Sequence, residues 1–126
     1  MGTAQVQRRT QAERRDESEQ RLLAAAAALI EAEGFAAVTF DRVGALAGYS
    51  RGLAGQKFGS KDGLVRAVIA FIQQRLRELI DPRVERESSP LRRIVAWQQA
   101  MLEEVERDPL FRSYFVMMAA AVGDRG

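Results

Sequence analysis

The chain has 126 residues and 47% apolar content, enough for one domain with a real core, or for a small domain plus part of another. It has no cysteine and no histidine, which excludes disulfides, Cys/His zinc sites and nucleophile pairs built on histidine. The formal charge of +2 does not announce a nucleic-acid partner, but its distribution is uneven. From Arg42 to Arg66 the cations Arg42, Arg51, Lys57, Lys61 and Arg66 meet one acid, Asp62, and Arg8, Arg9, Arg14 and Arg15 precede them against Glu13. Residues 81–126, with seven arginines and eight acids, are near neutral. The N-terminus is polar and Arg-rich, unlike a secretory signal, and no apolar run reaches 18 residues. These features predict a soluble, cytoplasmic protein without a membrane partner.

Residues 1–10 are polar and read as a disordered arm. Thr10 to Glu13 fits a capping box, which starts a helix near Gln11 with its core over 18–33. Leu22, Ala25, Ala26, Leu29 and Ile30 form its apolar stripe. Gly34 stands where a left-handed C-cap is wanted, and Phe35 is placed to supply the apolar contact beyond it. Thr39 is the N-cap expected of a second helix, whose Phe40, Val43, Leu46 and Ala47 should pack on the first. Gly48 breaks that pattern and Ser50 caps a short third helix from Arg51, with Leu53 and Phe58 inward. Two short helices around a glycine-containing turn make a helix-turn-helix, whose second helix fits the DNA major groove. Ser50, Arg51, Gln56 and Lys57 leave that helix a polar outer face, which spacing alone explains equally well as a solvated surface.

Ser60 caps a long fourth helix from Lys61 to about Ile80, ended by Asp81-Pro82. The charged stretch 83–89 reads as a loop and a domain boundary. Ser89-Pro90 opens a fifth helix to about Arg107, with Ile94, Trp97, Met101, Leu102 and Val105 on one face. Asp108-Pro109 opens a sixth. No strand pattern and no repeat is present, so the fold class is all-α. The expected units are an arm (1–10), a helix-turn-helix domain (11–60), and a linker helix with a partial regulatory helical domain (61–126). Glu103, Glu104 and Glu106 share a helix face without a convergent partner and read as solvated charge, so no catalytic site, metal site or cofactor is expected.

The pieces Arg21-Leu22-Leu23-Ala24-Ala25-Ala26, Glu33-Gly34-Phe35, Thr39, Ala47-Gly48-Tyr49-Ser50-Arg51-Gly52 and Phe58-Gly59-Ser60-Lys61-Asp62-Gly63-Leu64 stand in an order that resembles the N-terminal domain of TetR-family transcriptional regulators. The resemblance covers 21–68, just over a third of the chain. It implies a ligand-responsive repressor that binds a palindromic operator as a homodimer, with the fourth helix joining the head to a ligand and dimerisation domain. It places Thr39 and Lys61 on phosphates, Arg42 near the groove, and Ser50, Arg51 and Gly52 at the start of the recognition helix. A helix N-terminus beside a lysine is a ready phosphate site, and Arg51 is long enough to reach guanine O6 and N7. Gln56 is added as a base reader and Lys57 as a phosphate contact.

The sequence departs from the family at several points. Ala54-Gly55-Gln56-Lys57-Phe58 stands where Leu-Tyr-x-His-Phe is usual, and Val43-Gly44 where Ile-Ala is usual. Family members are generally longer, so the C-terminal region reads as shortened, whether by truncation, as a fragment or as a natural short form. Trp97, Met101, Phe111, Tyr114, Phe115 and Met118 are the residues expected to line a cavity for a small apolar ligand; as core or subunit interface the same stripe needs no ligand. Gly55 and the missing tyrosine favour a rival reading, a helical ligand- or protein-binding module with a vestigial, weakly DNA-binding head.

Overall fold

The computed structural model describes residues 10–123. The rest of the expected arm, with Arg8 and Arg9, and the closing residues 124–126 lie outside the described residues. Among the described residues there are six α-helices and one 3-10 turn, and no strand. The helices are α1 (Gln11–Glu33), α2 (Phe40–Ala47), α3 (Arg51–Phe58), α4 (Lys61–Glu85), α5 (Pro90–Arg107) and α6 (Pro109–Gly123), with the 3-10 turn over Phe35–Ala37. The all-α class is therefore observed.

Helix α1 is the hub. Its start is the expected capping box: the Thr10 hydroxyl accepts from the Glu13 N–H at 3.1 Å while the Glu13 carboxylate accepts from the Thr10 N–H at 3.1 Å. The expected stripe is buried, and Leu23 and Ala27 are buried with it. The buried face is wider than a stripe because α2, α4 and α6 all pack on α1. The small alanines let these neighbours come close.

The end of α1 differs from expectation. Gly34 takes φ 88° and ψ 173°, a positive-φ extended conformation rather than a left-handed helical one. Phe35 is not among the side chains packed on the core. Its ring is partly exposed and lies beneath the Lys61 ammonium, 4.6 Å from nitrogen to centroid.

Helix α2 buries Val43 and Gly44 and half-buries Phe40 and Ala47, whereas Leu46, expected to pack, is exposed. An eight-residue helix lying across α1 covers only one side of itself, and Leu46 falls beyond that side. In α3 the fully buried residue is Ala54, flanked by half-buried Leu53 and Phe58.

Helix α4 has 25 residues and spans about 37 Å. Leu64, Val68, Ile72, Leu76 and Ile80 recur every four residues and are all buried. It does not stop at Asp81-Pro82: Pro82 lies inside it and the helix continues to Glu85. An internal proline removes one helical hydrogen bond. Beyond Pro82 the helix is held by Val84, packed on the core, and by Arg83, which donates to both Glu103 oxygens at 2.8 and 3.3 Å. The connection to α5 is correspondingly shorter than the loop expected over 83–89.

Ser89 caps α5 as expected, its hydroxyl accepting from the Arg92 N–H at 3.1 Å. The face α5 buries is not the expected one. Ala100 and Glu104 are buried and Met101 and Val105 half-buried, while Ile94, Trp97 and Leu102 are exposed. Glu104 is thus no solvated charge; it sits 3.4 Å from the Arg107 guanidinium. Glu103 is likewise paired, with Arg83. Helix α6 returns to α1, burying Phe111, Ser113 and Met117, and Arg112 bridges to Glu31 at 3.2 Å. Core side chains from α1 through α6 form one continuous cluster.

Candidate nucleic-acid interface

The helix-turn-helix is built by three short caps and a tight turn. Thr39, Ser50 and Ser60 each accept the N–H three residues on, from Arg42 at 3.2 Å, Leu53 at 3.2 Å and Gly63 at 3.0 Å. A hydroxyl used in this way as an acceptor still has its own O–H to donate, so Thr39 and Ser50 can each give a hydrogen bond to a phosphate oxygen. Gly48 closes α2 in the left-handed region at φ 83°, which turns the chain into α3. Tyr49 then bonds back to the Gly44 carbonyl at 2.8 Å. The buried Gly44 lies so close to the Ser50 backbone that an added Cβ would sit 3.0 Å from it.

The expected DNA-contacting residues fall into three places. Thr39, Arg51 and Lys61 line one cleft of about 330 Å³, together with Val38, Phe40, Asp41 and Leu64. The starts of α2, α3 and α4 meet there, so helix N-termini and two cations face one space. Ser50, Gly52 and Gln56 are exposed on α3 beside it. Arg42 and Lys57 point elsewhere. Arg42 makes a two-pronged ion pair with Glu33, one bond at 3.0 Å and the second through Nη2 and Oε2. That hydrogen bonding holds the Glu33 carboxyl below the usual carboxylate range and raises Arg42 further. Lys57 donates to the Arg15 carbonyl of α1 at 3.3 Å.

Two acidic partners escape a count of charge along 42–66. Glu33 pairs with Arg42, and Asp41 lies 3.5 Å from Arg51. Asp41 precedes that window by one residue, whereas Glu33 reaches it only through the fold. The Arg51 and Asp41 side chains are both well exposed, at 72% and 67%, and water-exposed pairs of this kind are weak enough to open for a competing partner. At Gly55 an added Cβ would meet only Phe40 Cδ2, at 3.8 Å, so the space itself does not demand glycine.

The ligand-lining residues are also divided. Trp97, Met101, Tyr114 and Phe115 line a cleft of about 340 Å³ between α4, α5 and α6, with Arg77 and Asp81 at its edge. Phe111 is instead buried in the core, and Met118 is exposed on α6 away from the cleft. A larger groove, about 700 Å³, runs between α1, α4 and the start of α6, and none of the six expected residues lines it. Among the described residues no group of His, Cys, Asp or Glu is arranged to hold a metal ion.

The arrangement of caps, turn and helices coincides with a family match. Residues 22–68, from Leu22 in α1 to Val68 in α4, match the family model for bacterial regulatory proteins of the tetR family. The chain carries a TetR-family head. The match likens this head, with its helix-turn-helix, to those of a family of DNA-binding regulators. No curated protein matched the chain. No helix among the described residues is long and apolar enough to cross a membrane.

Proposed function

We propose that the protein is a sequence-specific transcriptional repressor, acting in the cytoplasm and not as an enzyme. In this reading α3 enters the major groove of an operator. Thr39 and Lys61 hold backbone phosphates, with Lys57 and the Ser50 hydroxyl as further phosphate donors. Arg51 reads base edges beside Gln56 and the exposed backbone at Gly52, and Arg42 joins them once it leaves Glu33. The observation that carries the reading is the meeting of Thr39, Arg51 and Lys61 at one cleft formed by three helix starts. Phosphate contacts position and base contacts specify, so the two roles separate by experiment. Arg51→Ala should narrow the affinity ratio between a duplex from the gene's own upstream region and a shuffled duplex of equal length. A bidentate arginine–guanine pair supplies discrimination of about 1–3 kcal/mol, which the variant forfeits. An unchanged ratio refutes base reading by Arg51.

The regulatory half of the proposal rests on the outer helices. A homodimer on a palindromic operator would cover the exposed Leu91, Ile94, Val95 and Leu102 of α5, because large apolar patches mark interaction surfaces. The 11–60 head and the 61–126 linker and regulatory part are the corresponding units. The cleft of Trp97, Met101, Tyr114 and Phe115 suits a small apolar ligand. Ligand binding there would shift α4 and change the spacing of two heads. Sedimentation of Ile94→Glu tests the dimer: the expected result is a monomer where the wild type is a dimer.

The rival module with a vestigial head gains from one observation, since Arg42 and Arg51 are already engaged by Glu33 and Asp41. It predicts weak DNA affinity that is the same for the upstream and the shuffled duplex.

A further inference from the structure

The first turns of α1, residues 11–21, precede the part of the chain that matches the family. They run beside α3 and form with it a cleft of about 590 Å³ lined by Arg14, Arg15, Glu17, Ser18, Arg21, Tyr49, Leu53 and Lys57. Four cationic side chains therefore face one carboxylate, and Glu17 already holds Arg21 at 2.7 Å. Glu13 points into the cap at Thr10 and does not line the cleft. The two walls are tied at one point, where the Arg15 carbonyl accepts from the Ser18 hydroxyl at 2.9 Å and from the Lys57 ammonium at 3.3 Å. Lys57 has three N–H donors, and this bond uses one. Arg14 and Arg21 stand seven residues apart, about 10 Å along the helix.

We propose that this cleft is a second phosphodiester site, which holds the DNA backbone flanking the segment read by α3. The proposal rests on the DNA-binding reading above and extends it to residues outside the family match. The cleft is open and most of its lining residues carry charged or polar tips, with Leu53 its single aliphatic side chain, so its chemistry suits an extended polyanion better than an enclosed apolar ligand. One wall is α3 itself, so a duplex seated on the outer face of α3 carries its own backbone past Lys57 toward Arg14 and Arg15. Two other groups of head cations, Arg42 with Glu33 and Arg51 with Asp41, are internally balanced, which leaves this cleft as a concentration of positive charge. Its contacts are to phosphates and carry no sequence preference of their own.

The test compares the full chain with an R14Q/R15Q variant on two duplexes from the upstream region, one long and one trimmed to the segment that α3 covers. Both arginines are exposed, so circular dichroism and melting should not change. On the long duplex the slope of log K against log salt should fall by about 1.8, because the variant leaves two phosphates without a cation. Between 50 and 200 mM salt the wild type should then lose about 12-fold more affinity than the variant, a ratio set by that slope difference. On the trimmed duplex the two proteins should behave alike. An unchanged slope on the long duplex, or an equal fall on both duplexes, overturns the proposal. A K61A variant serves as the reference for the main site and should lower the slope on both duplexes. A wild type without salt-dependent binding to either duplex overturns the DNA-binding reading itself.

Discussion

In α4, Leu64, Val68, Ile72, Leu76 and Ile80 follow one another at helical spacing and all are buried. In α5, Leu91, Ile94, Val95 and Leu102 follow a similar spacing and all are exposed. The difference lies in the neighbours. Helix α4 has α1, α5 and α6 around it, with α3 at its start, whereas α5 meets α4 and α6 along the line of Ala100 and Glu104. Apolar periodicity announces that a helix has a face to bury; it does not say what will cover it. Helices α1 to α6 together close one continuous core, and the outer face of α5 is left available.

The largest expected effect breaks or keeps that comparison directly. Ile72→Ala should destabilise the protein by about 2–5 kcal/mol in chemical denaturation, through lost transfer energy and a cavity. At a concentration low enough for sedimentation to show the monomer, Ile94→Ala should stay within about 0.5 kcal/mol as an exposed substitution. If Ile94→Ala costs the monomer as much as Ile72→Ala, the α5 face is covered within the chain itself and the contrast fails.

Next is the joint between α3 and α4. A Cβ on Gly63 would stand 2.2 Å from the Phe58 carbonyl oxygen, so the turn must move to admit it. Gly63→Ala should cost about 1–3 kcal/mol by overpacking, read as a lower melting temperature. Gly55→Ala should act in the opposite direction. Its site has room, and replacing glycine within a helix should raise stability by up to about 1 kcal/mol. A loss of stability there would show that the folded chain packs more tightly at Gly55 than the 3.8 Å clearance to Phe40 allows for.

The smallest effect concerns Glu33. Arg42 holds its folded-state carboxyl below the ordinary value of 4.5. The pair's contribution is therefore complete above that value and is lost as pH falls through the lower, folded one. Glu33→Gln should leave stability near neutral pH slightly reduced and remove this part of the acid dependence. The same substitution releases Arg42 and should strengthen DNA binding at low salt. An acid limb identical to the wild type would show that the ion pair does not persist in solution.

Much of the head is legible in the sequence because its signals are local. Thr10, Thr39, Ser50, Ser60 and Ser89 each cap the helix assigned to them, and a cap needs only a side chain and an N–H three residues away. What escapes depends on contacts between distant residues. Pro82 reads as a stop, yet the packing of Val84 and the Arg83 pair with Glu103 carry α4 past it. Phe35 reads as a cap contact, and the fold puts it under Lys61. The positive window around α3 reads as uncompensated, and the fold supplies Glu33 and Asp41 to it. Among the six aromatic and methionine residues expected at the ligand cavity, periodicity could not separate buried Phe111 from the four that reach the cleft.

The central claim is that the cleft shared by Thr39, Arg51 and Lys61 is where this head grips the DNA backbone. The most direct measurement is the salt dependence of binding to an upstream duplex, compared between the wild type and Lys61→Ala. The expected result is salt-sensitive binding by the wild type and a slope smaller by about 0.9 in the variant, which neutralises one phosphate fewer. Equal slopes for the two proteins, or a wild type whose binding does not respond to salt, would contradict it.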